Sequence, residues 1–388
     1  MVRLVAVSST VGGETRLFIL VFAQPRKKTL RRLLAGAVAL GVVGSAGGFG
    51  TGVAMADPAN PAPAPSTVGD GSNAQVVYAL GGARAPGIPW RDYTMRAGTG
   101  YYPTASHDVI DYPAGAPFSW VPAMFLPPGN PPDKVTIGVA AKDATTNLTK
   151  AIMGGNAPAA AVGLSQGNLG IDSVEANLVN NPKAPPPDKL QFTSFGDPTG
   201  HTGFGKSFLR GLFPPGSYIP IIDYTMPKEV DDQTQYDTNK VFAAYDGLAD
   251  FPDRPTDLVA VANATFGAAI GHTPSAFTTP DNVPPQNRRT FVNSKGATTT
   301  TYMIPVDHLP LTVGLRYLGC SDGFVDQIDS VLKPMVDAGY SYNDNPDTRP
   351  TGVDPVNGMN PLALVDGGTR GGIEDVFAQV RGFLPPLP

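Results

Sequence analysis

Two pentapeptides in the chain carry the spacing Gly-x-Ser-x-Gly: Gly163-Leu164-Ser165-Gln166-Gly167 and Gly319-Cys320-Ser321-Asp322-Gly323. On a sharp strand-to-helix turn this spacing lifts a serine hydroxyl clear of the backbone, and the small flanking residues let strand and helix approach closely. A serine so placed attacks an acyl carbonyl when a histidine takes its proton and an acid orients that histidine. In α/β hydrolases the three follow the chain order serine, acid, histidine. The chain has four histidines, His107, His201, His272 and His308, and all precede Ser321. Ser321 therefore reads as an N-cap for a helix beginning near Asp322. Ser165 is the candidate nucleophile.

Behind Ser165, Asp246 closes a short apolar run at 241–244, and His272 follows the next expected helix. Asp250 and Asp253 are rival acids that read locally as solvated loop residues. His308, in "IPVDHLPLT", is the alternative base; its neighbour Asp307 is badly placed to orient it, because adjacent residues rarely face each other. His201 precedes these acids, and His107 precedes the serine. The Gln166 N–H, with an N–H from the loop around Gly82 and Ala83, is positioned to hold a substrate oxyanion. Glu229, Asp231 and Asp232 cluster but read as a solvated turn, so no metal site is expected. The single cysteine, Cys320, excludes an intramolecular disulfide and reads as a buried thiol.

The elements that must position these residues follow from periodicity and punctuation. Residues 74–80, "AQVVYAL", read as a buried strand running into Gly81-Gly82-Ala83, where backbone N–H groups can point outward. Residues 87–134 are aromatic, proline-rich and irregular; Trp90, Tyr93, Tyr101, Tyr102, Phe118 and Trp120 either line an acyl or sugar groove or pack beneath the loops. A helix is expected over 135–153, then a strand of small residues, "APAAAVGL", leading into Ser165. Leu169, Ile171, Val174, Leu178 and Val179 form a helical stripe closed by Asn180-Asn181-Pro182. A strand at 190–195 stops at Gly196-Asp197-Pro198, and 199–235 reads as a long loop region. Further helices are expected at 256–270 and 322–338, a strand at 300–306, and a short helix at 373–383. Strands alternating with helices predict a mostly parallel sheet.

Composition agrees with such a loop-rich α/β body. In 388 residues only 16% are charged, against 45 glycines and 41 prolines, which favours turns and loops over solvent-facing helices. A net charge of −5 leaves no basic footprint for nucleic acid. Residues 1–56 read as a leader and a signal peptide or membrane anchor. Arg26-Lys27-Lys28 and Arg31-Arg32 precede an uncharged run at 33–53, and Ala54-Met55-Ala56 has the form of a cleavage site. Residues 57–73 are a Pro/Ala-rich linker, 74–340 the folded domain, and 341–388 a Gly/Pro-rich extension.

From "VVYALGGARAP" to about residue 340, the chain resembles the PE-PPE domain of mycobacterial and related actinobacterial proteins, α/β serine hydrolases related to cutinases. The resemblance runs through Gly163–Gly167, "GDPTG", "QYDTNKVFAAYDGLADFPDRP", "NATFGAAIGH", "YMIPVDHLPLTVGLRYLG" and "VLKPMVDAGY". It implies an α/β-hydrolase (cutinase-like) fold, a mostly parallel central sheet flanked by helices, with long Pro/Gly-rich loops. It also implies Ser165 as nucleophile, Asp246 as acid and His272 as base, with no cofactor. With an export signal or anchor in place of a PE or PPE module, the chain is similar to the membrane-associated acyltransferases of trehalose polyacyl lipid assembly. The expectation is an exported serine acyltransferase moving a fatty acyl group between trehalose glycolipids at the cell envelope. A carboxylesterase or lipase of the same fold and a non-catalytic envelope binding protein are the alternatives. The partners implied are an acylated glycolipid or other fatty-acyl ester and a membrane or envelope surface.

Overall fold

The computed structural model describes residues 2–11, 14–23, 73–84, 90–114 and 135–361, apart from 229 and 318. The signal or anchor segment at 26–56, the linker up to residue 72, Glu229, Phe118, Trp120 and the helix expected at 373–383 lie outside the described residues. Strands β1 (Val2–Val11) and β2 (Glu14–Ala23) pair as an antiparallel hairpin and form a unit of their own. The apolar patch "LFILVFA" of the expected leader lies in β2, where branched and aromatic residues suit a strand. No helix among the described residues is long and apolar enough to cross a membrane.

The second unit is built on seven strands: β3 (Val76–Leu80), β4 (Ser106–Val109), β5 (Ala159–Leu164), β6 (Leu190–Phe195), β9 (Thr238–Ala243), β10 (Arg288–Val292) and β11 (Thr298–Ile304). Their order is β10-β11-β9-β6-β5-β3-β4, and every pair is parallel except β10 with β11. The chain leaves β3 toward β4 but leaves β5 toward β6, so the strand order reverses between β3 and β5. In open α/β sheets such a reversal opens a crevice at the carboxyl ends of the two strands.

The central strand β5 is buried along its whole length, as its small residues allow with helices on both faces. Its side chains alternate between two cores. Ala161 joins Leu80 and Phe192 beneath helices α2 (Ile137–Gly154) and α3 (Asn168–Leu178). Ala160, Val162 and Leu164 face the opposite core with Phe195, Val241 and Met303, covered by α5 (Leu258–Ile270) and α7 (Asp322–Asp337) through Ala260 and Val336. Caps start two of these helices. Thr136 accepts the Val139 N–H at 3.2 Å, and one Asp257 carboxylate oxygen accepts from Val259 and Ala260, each at 3.1 Å.

Several expected loops hold elements. Helix α1 (Trp90–Arg96) and β4 fall within the stretch expected to be irregular. The long loop at 199–235 contains helix α4 (Phe208–Leu212) and a two-stranded ribbon, β7 (Tyr218–Ile219) with β8 (Tyr224–Thr225). Helix α6 (Pro310–Tyr317) and edge strand β10 were also unexpected. The stretch 341–361, at the start of the expected extension, lies against the sheet end, where Val306 bridges Val353 and Met359.

Helix α5 approaches the turn after β9 so closely that backbone meets backbone. A methyl group on Gly267 would overlap the Tyr245 carbonyl oxygen, and one on Gly247 would overlap that of Ala264. Gly323, in the first turn of α7, has nothing near its missing side chain. We expect Gly267→Ala to destabilise the fold by about 2 kcal/mol through forced displacement of α5. Gly323→Ala should stabilise it by about 0.5 kcal/mol. Chemical denaturation of the two variants beside wild type measures both.

Candidate active site

Ser165 follows the last residue of β5 and is the first of a single 3-10 turn leading into α3. Its φ is 51°, the left-handed region that costs a side-chain-bearing residue strain, and the turn projects the hydroxyl away from the strand. The flanking glycines make this turn possible. A methyl on Gly163 would overlap the Asn168 side chain, and one on Gly167 would overlap the Leu80 carbonyl oxygen. Asn168, fully buried, donates through Nδ2 to the Phe195 carbonyl at 2.8 Å, tying the start of α3 to the end of β6. Ser165 is half-buried amid otherwise buried neighbours.

Asp246 and His272 meet in the interior. Asp246 Oδ2 lies 2.7 Å from His272 Nδ1, with 0% and 1% of the two side chains exposed. The other carboxylate oxygen, Oδ1, accepts the Leu248 N–H at 3.0 Å. His272 Nε2 is buried and has no hydrogen-bond partner among the described residues. That tautomeric arrangement leaves Nε2 as the ring's proton acceptor when Nδ1 donates to the carboxylate. The imidazole rests on Gly196, where a methyl would stand 2.8 Å from Cε1. Gly196 itself has φ 58° and is the residue after β6.

The sheet register brings these groups to one edge. Leu164 pairs with Phe195 and Phe195 with Val241, so β5, β6 and β9 end side by side. Ser165 leaves the first, Gly196 the second, and Asp246 lies three residues beyond the third, with His272 over Gly196. Strand spacing of about 4.8 Å places the serine and the acid on either side of β6, over whose end the imidazole rests.

The loop after β3 completes the edge. A methyl on Gly82 would stand 3.2 Å from the Ser165 Cβ, so this loop runs beside the serine. Its carbonyls are held from behind: Tyr112 O–H donates to the Gly81 oxygen at 2.5 Å and Trp90 Nε1–H to the Gly82 oxygen at 2.7 Å. In a planar trans peptide the C=O and the next N–H point in opposite directions. Fixing these oxygens therefore aims the Gly82 and Ala83 N–H groups the other way. Arg84, stacked 4.1 Å over the Trp90 ring and paired with Asp111, holds that support in place. Trp90 and Tyr112 had no local sequence signal for this role. The "GDPTG" turn did mark Gly196.

The remaining candidates lie elsewhere. His308 is buried against α7, with Nδ1 3.1 Å from Asp329 and 3.4 Å from Asp326. Its partners are thus on a helix that carries none of Ser165, Asp246 and His272. Asp307 turns to Arg316, at 2.6 Å. Asp250 is buried, not solvated, and accepts from the Tyr245 N–H and the Tyr342 O–H, both at 2.9 Å. Burial pushes its carboxyl up to about 8. Asp253 accepts from Ser341. Asp231 pairs with Lys240 at 2.6 Å. Ser321 occupies the N-cap position of α7 but its side chain makes no capping bond. Cys320 is only half-buried, because it sits in the short connection between α6 and α7. Trp90, Tyr101 and Tyr102 are packed in the cores. Among the described residues no cluster of metal ligands occurs.

A family model for the PE-PPE domain matches residues 103–341. The diacyltrehalose acyltransferase Chp2 of Mycobacterium tuberculosis is 63% identical over 340 residues, 86% of this chain and 94% of that protein. The SL1278 acyltransferase Chp1 of the same organism is 37% identical, over 87% of this chain and 74% of its own length. Its esterase PE16 is 28% identical, over 76% of this chain and 54% of that protein. No solved structure matches the chain.

The helix behind the serine carries a buried acid with a pH signature. Burial first, and then the charge of Asp231, push the Glu175 carboxyl up to about 7 against the pull of Lys240. The folded chain therefore keeps a proton that the unfolded chain releases above its ordinary value of 4.5. Stability from this group is complete at low pH and is lost as pH rises toward 7. Glu175→Gln should flatten that fall by about 2 kcal/mol. Thermal melts of both proteins between pH 4.5 and 7 read the difference.

Proposed function

Since the chain belongs to the PE-PPE domain family, we propose that it is a serine acyltransferase moving a fatty acyl group between trehalose glycolipids, with Ser165, Asp246 and His272 as its triad. The observation that carries this reading is the buried 2.7 Å Asp246–His272 contact at the same sheet edge as a serine with φ 51°. The two acyltransferase relatives support the reaction, and the diacyltrehalose acyltransferase Chp2 supports the substrate class.

In the first half-reaction His272 Nε2 takes the Ser165 proton as Oγ attacks an acyl-ester carbonyl. The negative charge that develops on the carbonyl oxygen is held by the Gln166 N–H and those of Gly82 or Ala83. Collapse expels the sugar alkoxide, which receives the proton from His272, and leaves the acyl group on Ser165. In the second half a hydroxyl of another trehalose glycolipid gives its proton to His272 and attacks the acyl-enzyme, which restores the serine. Asp246 fixes the ring tautomer and stabilises the imidazolium in both halves. With two diacyltrehalose molecules the products are a triacyl and a monoacyl trehalose. Water as acceptor would give the esterase outcome, which the PE16 relative exemplifies. Export to the envelope is supported by the basic block, apolar run and Ala54-Met55-Ala56 of residues 26–56.

Fluorophosphonate labelling and diacyltrehalose turnover test the reading together. Ser165→Ala should abolish labelling, and His272→Ala should slow it by three or more orders of magnitude. His308→Ala should label within about threefold of wild type wherever it folds, since a group outside the reacting atoms does not enter the transition state. Mass spectrometry should find triacyltrehalose in excess over free fatty acid. Labelling that survives Ser165→Ala would sink the nucleophile, and free acid alone would replace transferase with esterase.

A further inference from the structure

The turn that carries Asp246 is fastened from a distant part of the chain. Tyr245, just before it, is held at φ 63°, a conformation that a bulky aromatic residue adopts only under constraint. Asp250 supplies that constraint at short range. Its Oδ2 accepts the Tyr245 N–H at 2.9 Å, while its own N–H donates to the Asp246 carbonyl at 2.6 Å. The same Oδ2 accepts the Tyr342 O–H at 2.9 Å, a bond spanning 92 residues of sequence. Tyr342 lies one residue past the stretch matched by the family model.

The segment that bears Tyr342 is itself clamped onto the turn's continuation. Ser341 donates from its N–H and its hydroxyl to Asp253 Oδ2, at 2.9 and 2.6 Å. The Arg254 N–H donates to the Gly339 carbonyl at 3.0 Å, and its guanidinium reaches the Ala338 carbonyl at 2.8 Å and pairs with Asp344. Beneath them Tyr245 meets Tyr340 edge to face and Tyr340 meets Tyr342 at a tilt, with ring centroids 5.5 and 5.3 Å apart, and the Tyr245 hydroxyl donates to Asp337 at 2.8 Å. Every one of these tyrosines is under 9% exposed. The titratable groups around the Asp250 carboxyl are Asp246, Asp253, Tyr245, Tyr340 and Tyr342. Arg289 also interacts through its charge with Tyr342.

We propose that Asp250 and Tyr342 are positioning residues for the catalytic acid: their hydrogen bond locks the strained Tyr245–Asp246 turn and so holds the Asp246 carboxylate against His272. This rests on Asp246 being the acid of the triad. Neither residue touches the reacting atoms. The lock needs an acceptor oxygen at 250 and a donor at 342. An asparagine there keeps the accepting oxygen and, below the value of about 8 to which burial pushes the Asp250 carboxyl, also its charge.

Rates of fluorophosphonate inactivation of the full chain, measured from pH 5 to 9, test the lock in Tyr342→Phe, Asp250→Asn and Asp250→Ala, with Asp246→Asn as reference. A carboxylate held against an imidazole favours the ring's charged form, so a loosened carboxylate moves the midpoint of the rate profile to lower pH. Tyr342→Phe keeps the ring packing and removes one hydrogen bond. It should slow inactivation about five- to tenfold and lower the midpoint by about half a unit. Below pH 8 Asp250→Asn should stay near wild type in both, and Asp250→Ala should fall at least as far as Tyr342→Phe. If Asp250→Ala does not fold, the contrast between Tyr342→Phe and Asp250→Asn decides. A Tyr342→Phe profile with the wild-type midpoint, whether or not its amplitude falls, overturns the lock. A wild-type rate in Asp246→Asn overturns the triad beneath it instead.

Discussion

A carboxylate with no exposed surface must find every one of its partners inside the protein. Asp246 meets that demand with one oxygen on His272 and the other on the Leu248 N–H. An unpaired oxygen there would cost a large share of the fold's net stability. The turn after β9 therefore has little freedom in its path, and much of the local structure answers to it. Helix α5 offers Ala264, Gly267 and Ala268 so that backbone can press against backbone. The tyrosines at 245, 340 and 342 fill the space on the other side.

The same economy of side chains governs the serine's side of the edge. Glycines at 81, 82, 163, 167 and 196 stand where strand ends, the helix start and the imidazole crowd together. What bulk there is stands behind them: Trp90, Tyr112 and Arg84 brace the loop after β3 from the rear. The strand order reverses between β3 and β5, which is where open α/β sheets place their ligand crevices. In the proposed mechanism the donors for an oxyanion are therefore fixed before any substrate arrives.

Much of this was legible in the sequence, and the losses have physical causes. The strand–serine–helix order around Ser165 stood out because β5 is a buried run bounded by glycine and α3 has a clear apolar stripe. The pairing of Asp246 with His272 was one arrangement among several, since separation along the chain says nothing of distance; the spaced motifs of the family singled it out. His308 looked equally apt locally, yet its aspartate partners lie on α7 and become visible only when that helix packs. Asp250 was misjudged as solvated because a partner that buries it, Tyr342, comes from 92 residues away. Short elements such as β4 and α1 escaped notice because tertiary pairing, not propensity, decides whether so few residues are regular.

The bonds from Tyr245 to Asp337 and from Asp250 to Tyr342 have a consequence for timing. Each joins residues 92 apart, so neither exists until the chain has been made at least to the end of α7. A chain growing from its N-terminus completes Ser165 and the loop after β3 early, while the acid's turn still lacks its fastening. The proposed nucleophile is thus made before the turn of the proposed acid is locked in place. A chain that ends before Asp337 would carry Ser165 in its turn and lack both long-range bonds that fasten the turn of Asp246.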